Sequence, residues 1–277
     1  MNKRLLPLLT LPLLISACGD HSGSSGTTTS IDEPVTDNAP PAISYTVLNA
    51  MPHDTTSYTE GFLFHDGKLY ESSGAPEDKP HTRSMFGEVD LKTGKITAKA
   101  ELDRKTYFGE GISFLNGKAY QLTWTNKVGF IYDAKTFKRI GQFTIPNAEG
   151  WGMTTDGSSL ILSDGSSNLT FLDPQTFKIL KIVGVKDNNG PVGNINELEY
   201  IKGSVYANIY QTSDIIRIDP ASGMVTGKAD FSQLDKQAKN KYAEAEYMNG
   251  IAYDSATNKV YVTGKLWPEI YEVRFNN

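Results

Sequence analysis

Short apolar runs recur along the chain at regular intervals, and polar turns separate them. The first strand of each repeat is predicted at residues 61–64, 111–114, 152–154, 198–201 and 250–253. Asp66-Gly67 and Asn116-Gly117 follow two of these runs, and both dipeptides tolerate the positive φ of a tight hairpin turn. A second hairpin with an Asp near its tip follows each of the first four runs. The repeat length of about 40–50 residues is typical of four-stranded propeller blades.

Five such units predict an all-β fold, a five-bladed β-propeller. The fifth unit reaches the end of the chain without a fourth strand, whereas residues 45–48 form an unassigned strand near the start. Pairing this N-terminal strand with the C-terminal blade would close the ring and remove an exposed edge. An open sandwich of similar strands is the alternative. Residues 232–247, rich in Lys, Ala, Glu and Gln, predict one short surface helix before the last blade.

The N-terminal segment has the features of an export signal. Lys3 and Arg4 precede an apolar run over residues 5–15, which is too short to span a bilayer as a stable helix. The run ends in Ile15-Ser16-Ala17-Cys18, which resembles the lipobox of bacterial lipoproteins. The resemblance implies cleavage before Cys18 and its lipidation. An ordinary signal peptide with an incidental Cys18 is the alternative.

The predicted organisation has three parts. Residues 1–17 are the lipoprotein signal peptide, residues 18–42 a disordered tether poor in large apolar groups, and residues 43–277 the propeller domain. We therefore expect a protein anchored by lipid on the periplasmic side of the cell envelope. In bacterial lipoproteins an aspartate directly after the cysteine is linked to retention in the inner membrane. This chain has Gly19 at that position, so the outer membrane is favoured.

Composition excludes several kinds of function. The net charge is −5 and no basic block is present, so a nucleic-acid surface is not expected. The single cysteine permits no intramolecular disulfide, and the four histidines show no metal-ligand spacing. Neither a Gly-x-Ser-x-Gly elbow nor a P-loop occurs. We expect a monomer that contacts the membrane through its lipid anchor only.

Polar residues recur at one position of every repeat, just before the first strand. Because first strands line the channel of a propeller, we expect these side chains to converge near one mouth. Clustered carboxylates raise one another's pKa, which suits proton transfer or cation binding. Each residue could instead satisfy loop amides. The three tryptophans, Trp124, Trp151 and Trp267, lie close to these polar residues in the sequence and suggest a pocket with aromatic walls. The polar residues are Glu60, Glu110, Glu149, Asn196, Glu197, Glu246 and Asn249.

Several strings resemble the plant-type glutaminyl cyclases (glutaminyl-peptide cyclotransferases), which also occur in bacteria. They cover every predicted blade, at residues 58–62, 108–112, 121–124, 149–153, 196–200, 207–212, 249–253 and 264–268. The family converts the N-terminal glutamine of a peptide to pyroglutamate and releases ammonia. The resemblance therefore implies an acyltransferase whose partners are peptides or proteins with an N-terminal Gln.

The resemblance also implies roles for individual residues. Glu110 matches the family's proton shuttle, and Lys265 matches a lysine that could stabilise the oxyanion or orient Glu110. Lys265 in a structural ion pair is the alternative. Trp124 and Trp151 match pocket tryptophans, and Asn196 matches a substrate-binding carboxamide. Glu60 and Tyr210 stand where the family pattern has Gln and Trp, so substrate preference and rate are open at these two positions.

Two other functions stay open at this point. One is a metal-dependent propeller hydrolase such as a lactonase, with Glu and Asn ligands to a divalent ion in the channel. The other is a non-catalytic binding propeller of the envelope, because a fold does not determine a function. The cyclase hypothesis requires no cofactor and expects no metal in the site, although a structural divalent cation on the propeller axis is compatible with it.

Overall fold

A computed structural model describes residues 39–276 and shows four blades that each consist of four consecutive antiparallel strands. The signal peptide, Cys18 and most of the predicted tether lie outside the described residues. Blade 1 consists of β2 (Tyr58–His65), β3 (Lys68–Gly74), β4 (Met85–Val89) and β5 (Ile96–Glu101), and blade 2 consists of β6 (Gly109–Leu115), β7 (Lys118–Thr123), β8 (Val128–Asp133) and β9 (Arg139–Thr144). Blade 3 consists of β10 (Met153–Thr155), β11 (Leu160–Leu162), β12 (Asn168–Leu172) and β13 (Ile179–Gly184). Blade 4 consists of β16 (Ile195–Ile201), β17 (Ser204–Ile209), β18 (Asp214–Ile218) and β19 (Val225–Asp230).

Blade 5 combines the first strand and the last strand of the described chain. Its strands β20 (Met248–Asp254), β21 (Lys259–Gly264) and β22 (Glu269–Asn276) are completed by β1 (Ser44–Pro52), which pairs antiparallel with β22. Inner strands of neighbouring blades contact one another all round the ring. The prediction of a five-bladed propeller closed by the N-terminal strand is confirmed, and the open sandwich is excluded. A short hairpin, β14 (Lys186–Asp187) and β15 (Gly190–Pro191), lies between blades 3 and 4.

The hydrophobic core of the described residues is divided into five buried clusters, one between each pair of neighbouring blades. Between blades 1 and 2, for example, Phe86 and Ile112 are almost fully buried. Strands with apolar residues on both faces are expected where a sheet is covered on both sides, as each blade is here. Burial between blades therefore supplies the stability that the absence of a disulfide leaves to packing.

The predicted hairpin turns adopt left-handed backbone conformations. Asp66 and Gly67 have φ of 48° and 72°, and Asn116 and Gly117 have φ of 53° and 72°. These angles fit two-residue turns whose twist matches the strands they join. At the second hairpins an Asp carboxylate accepts backbone N–H bonds, as Asp133 does from Lys135 and Thr136. These bonds lower the pKa of Asp133.

The helix is shorter than predicted. α1 spans Ser232–Lys241 and buries Leu234 and Ala238 against the cluster between blades 4 and 5. It ends there because Tyr242 has an extended backbone, and the chain further on pairs with the loop after β21. Glu246 N–H donates to Lys265 O, and Lys265 N–H donates to Tyr247 O. No helix within residues 39–276 is long and apolar enough to cross a membrane.

Candidate active site

One pocket of about 490 Å³ opens at a mouth of the channel. The seven residues that the family resemblance places in the site all line it, and together they come from every blade. They are Glu60, Glu110, Trp124, Trp151, Asn196, Tyr210 and Lys265. The convergence predicted from the repeats is therefore observed for Glu60, Glu110 and Asn196.

β-Bulges place the polar residues. In four inner strands the pairing register with the second strand shifts at one point, and the extra residues there include Glu60, Glu110, Asn196 and Asn249. A bulge interrupts the ladder and re-aims the side chain it carries. The polar residue in the middle of an apolar strand is therefore turned towards the channel mouth. In blade 3 the residue at the equivalent position is Trp151, which lies just before β10.

In every blade except blade 4, glycine follows this residue, because the inner strands approach one another closely at this position. A Cβ on Gly111 would lie 2.4 Å from Met153 N, and one on Gly152 would lie 2.1 Å from Asn196 O. Across the same contact Gly111 N–H donates to Trp151 O at 2.8 Å. The Glu-Gly and Trp-Gly dipeptides of the sequence thus reflect the packing of blades around the mouth.

A second set of side chains comes from the ends of the second strands. Trp124 follows β7, Tyr210 follows β17 and Lys265 follows β21. The Tyr210 ring lies edge-on to Trp151, with centroids 5.4 Å apart, and so forms part of the same aromatic wall. Trp124 is 43% exposed and meets Phe108 edge-on at 5.9 Å.

The floor of the pocket holds two carboxyl groups and one cation, all buried. Lys265 Nζ pairs with Glu60 Oε1 and lies 4.4 Å from the centroid of the Tyr58 ring. Burial raises the pKa of Glu60, and Lys265 opposes that rise. Burial raises the pKa of Glu110 well above its usual value, and the negative charges of Glu60 and Glu149 add to the effect. The carboxyl groups of Glu60 and Glu110 together therefore hold a proton more readily than two exposed carboxylates would.

Asn196 lines the pocket and has a buried side-chain oxygen. Its side chain is 3% exposed, and within the described chain its Oδ1 has no hydrogen-bond partner. A buried amide oxygen without a partner is costly, so a donor is expected to occupy it. A primary amide or an ammonium group entering the pocket would be such a donor.

The family model for glutamine cyclotransferase matches residues 21–275 of this chain. The chain belongs to the glutamine cyclotransferase family. A glutaminyl-peptide cyclotransferase of Arabidopsis thaliana is 37% identical over 230 residues, which are 82% of this chain and 70% of the relative. The crystal structure of Myxococcus xanthus glutaminyl cyclase matches with a TM-score of 0.78 and 33% identity, covering 86% of this chain and 99% of that one.

Not every polar residue that sequence analysis placed near the mouth of this glutamine cyclotransferase lines the pocket. Glu197 accepts N–H bonds from Phe62 and Ile251 and so joins blade 4 to blades 1 and 5. Asn249 Nδ2 donates to Thr59 O at 2.9 Å and to Glu60 Oε2 at 3.2 Å, which orients Glu60 from behind. Glu246 accepts a hydrogen bond from Tyr58 Oη and pairs with Lys79.

The expectation that Trp267 helps to wall the pocket is wrong. Trp267 is completely buried between blades 4 and 5, and its Nε1–H donates to Glu246 O at 3.0 Å. It is a core residue that supports the loop carrying Lys265. An indole close to a polar step in sequence was therefore an insufficient signal.

Among the further aromatic residues that line the pocket are Tyr58 and Phe108, which were not predicted from the sequence. Each lies two residues before a glutamate, in Tyr58-Thr59-Glu60-Gly61 and Phe108-Gly109-Glu110-Gly111. Their rings meet edge-on with centroids 6.1 Å apart. The repeated aromatic-x-Glu-Gly pattern is a signal that could have identified them.

The outer part of the pocket is formed by loops for which the sequence offered no comparable signal. Arg104 donates hydrogen bonds to four carbonyl oxygens, those of Pro76, Lys79, Pro80 and Thr82. These bonds hold the loop after β3 against the turn after β5. Hydrogen bonds from this one guanidinium group therefore hold the rim of the pocket in position.

No group of three or more His, Cys, Asp or Glu side chains within residues 39–276 is arranged to hold a metal ion. Glu197 and Glu199 lie along the channel in β16, and both accept backbone N–H bonds from neighbouring blades. The cofactor prediction remains a prediction.

Proposed function

We propose that this glutaminyl-peptide cyclotransferase binds the N-terminal glutamine of a peptide in the pocket and uses Glu110 as its proton shuttle. The observation that carries the proposal is the position of Glu110, a buried carboxyl with a raised pKa at the floor of an aromatic pocket. A group that must take up and return a proton near neutral pH works best when its pKa lies near that pH. Burial and the charge of Glu60 move the pKa of Glu110 in that direction.

The proposed reaction proceeds in two steps. The α-amine nitrogen attacks the δ-carbon of its own side chain, and Glu110 takes a proton from that nitrogen. Glu110 then returns the proton to the amide nitrogen, the C–N bond breaks, and ammonia leaves. The products are a pyroglutamyl peptide and ammonia, so atoms and charge balance.

The other pocket residues bind the substrate and stabilise charge in this proposal. Trp124, Trp151 and Tyr210 hold the side chain folded back towards its own amine, which lowers the entropic part of the barrier. Asn196 Oδ1 accepts an N–H of the scissile carboxamide. Lys265 stabilises the developing oxyanion and holds Glu60, whose carboxylate favours the amine end of the substrate.

The test is ammonia release from a short Gln-initiated peptide, with mass spectrometry of the product. We expect wild type to be active and Glu110→Gln to lose about 10²–10⁴-fold in kcat. Glu101→Gln is the matched control, because Glu101 is an exposed carboxylate paired with Arg83 on the surface. An inactive wild type would contradict the proposed activity. A fully active Glu110→Gln variant would contradict the shuttle alone.

We also propose that Cys18 is lipidated and that the enzyme acts as a monomer on the periplasmic side of the cell envelope, with the outer membrane favoured. The support is the string Ile15-Ser16-Ala17-Cys18 after a short apolar run. Cys18→Ser should move the protein from the membrane fraction to the soluble periplasmic fraction. Retention of the variant in the membrane fraction would overturn the anchor.

A further inference from the structure

Two tryptophans of the pocket share one hydrogen-bond acceptor outside it. Trp124 Nε1–H donates to Glu149 Oε2 at 2.6 Å, and Trp151 Nε1–H donates to the same oxygen at 2.8 Å. Glu149 lies two residues before Trp151 but 25 residues after Trp124, so the bonds connect blade 3 to the end of a strand in blade 2. We propose that Glu149 is a positioning residue that fixes the angle between the two indole walls.

The two indoles need such a partner to different extents. Trp151 packs edge-on to Tyr210, and its ring lies so close to Gly165 that a Cβ there would be 2.7 Å away. Trp124 is 43% exposed and has the edge of Phe108 on one side. Side-chain packing therefore restrains Trp151 well and Trp124 poorly. The bond to Glu149 supplies the restraint that Trp124 lacks.

The chemistry of the contact makes it strong and specific. An indole nitrogen is a donor only, so Glu149 must accept both bonds. A carboxylate acceptor shortens and strengthens hydrogen bonds relative to a neutral one, in agreement with the two distances. One oxygen atom that binds both donors determines where the two rings lie relative to each other. A preorganised wall of this kind reduces the ordering that substrate binding would otherwise require.

Glu149 also acts on the floor of the pocket through its charge. It raises the pKa of Glu110, after the larger effects of burial and Glu60. Glu149 does not line the pocket itself, so its influence on a substrate passes through the tryptophans and Glu110. The inference rests on the proposed function for its kinetic part, whereas the positioning of the indoles can be measured without any substrate.

Two substitutions separate the hydrogen bonds from the charge. Glu149→Gln keeps a carbonyl oxygen that can accept both indole N–H groups, whereas Glu149→Ala removes the acceptor. We expect Glu149→Ala to lose about tenfold or more in kcat/KM, mainly through KM, because the walls no longer orient the glutamine. Glu149→Gln should stay within about threefold of wild type.

Tryptophan fluorescence supplies the second measurement. The chain has three tryptophans, and Trp267 is completely buried and so contributes a constant background. Glu149→Ala should lower the anisotropy of the indoles and increase acrylamide quenching, and Glu149→Gln should restore both towards wild type. Glu244→Ala is the matched control, since Glu244 is an exposed carboxylate whose nearest ionic neighbour is His81 at 3.9 Å.

The outcomes distinguish the inference from the proposed function. Unchanged anisotropy, quenching and KM in Glu149→Ala would overturn the positioning role. Glu149→Gln behaving like Glu149→Ala would also overturn it, because charge and not the acceptor would then be responsible. A wild type without cyclase activity would overturn the proposed function, and the fluorescence measurements would still test whether Glu149 holds the indoles.

Discussion

Glu60 and Glu110 share a buried floor with one cation, Lys265, and this sets how the site responds to pH. Lys265 pairs directly with Glu60, so the proton of the pair is held more readily by Glu110. The family pattern has an uncharged Gln at the position of Glu60. This chain therefore carries one more negative charge beside its proposed shuttle than that pattern does.

Replacing Glu60 by Gln should move the acidic limb of the kcat profile to lower pH. Glu110 must be ionised to accept a proton, and its pKa is raised partly by the charge of Glu60. Removing that charge lowers the pKa of Glu110, so the active form persists at lower pH. Measuring kcat from pH 4 to 8 tests this, because kcat reports groups of the enzyme–substrate complex. A limb that stays in place or moves to higher pH would contradict the electrostatic coupling.

His53 is buried, although the spacing of the four histidines had indicated no role for it. Its Nδ1 lies 2.8 Å from Trp267 O and its Nε2 lies 2.9 Å from Glu71 Oε2. Both neighbours can accept a hydrogen bond, an arrangement that favours a proton on both ring nitrogens. Burial by itself would lower the pKa of His53, but Glu71 and the Trp267 carbonyl outweigh it and raise the pKa.

The pair of His53 and Glu71 should make stability depend on pH. Its contribution is complete below the unfolded-state pKa of about 6.5 and is lost as pH rises through the folded-state pKa. His53→Gln should lower the unfolding free energy at pH 6 by about 3–5 kcal/mol, because it leaves a buried carboxylate without its cation. The difference from wild type should shrink at alkaline pH. Urea titrations at several pH values measure it, and His81→Gln, at an exposed site, should show no such effect.

At the scale of strands, the bulges of the inner strands connect packing with chemistry. Glu110 and Asn196 occupy equivalent bulges in blades 2 and 4, where the ladder with the second strand is interrupted. A regular strand would have placed these side chains between blades. The same repeat that builds the core therefore also supplies the polar groups of the pocket.

Strand β1 should be required for cooperative folding. It pairs with β22 along Ser44–Pro52, and Tyr45 stacks on Phe231 with centroids 4.0 Å apart. A chain without residues 1–52 exposes the edge of β22, and we expect it to aggregate or to lose its cooperative thermal transition. A chain without residues 1–38 keeps β1 and should melt at the temperature of the longer form. Equal melting temperatures for the two truncations would show that closure by β1 is dispensable.

At the scale of the whole molecule, buried carboxylates along the channel connect neighbouring blades by accepting hydrogen bonds from their backbone N–H groups. Glu199 accepts a hydrogen bond from Tyr253 N–H, and burial raises the pKa of Glu199 to about 8.

We expect a chelator to leave cyclase activity unchanged, since proton transfer by Glu110 requires no metal. Activity after dialysis against EDTA is the measurement. A loss that a divalent cation restores would contradict this and favour a metal-dependent mechanism.

Local repeats explain why much of the site could be predicted. Hairpin dipeptides and polar steps occur at fixed positions, so equivalent residues had to converge once the ring closed. Residues whose role depends on contacts between distant segments could not be found in this way. Glu149 binds Trp124 across a blade boundary, and His53 finds its carboxylate in β3. The end of α1 likewise depends on pairing with Lys265, which follows a strand of the next blade.

By itself the sequence determined the number of blades, the closing strand and the polar residues that recur before the first strands, because turn chemistry and repeat spacing are local properties of the chain. Tertiary structure decided which of those side chains face the pocket and which hold the blades together. Trp151 faces the pocket whereas Trp267 is buried between blades, and Glu110 lines the pocket whereas Glu197 binds amides of two other blades. The reason is that burial and charge at each position depend on neighbours that only the closed ring brings together.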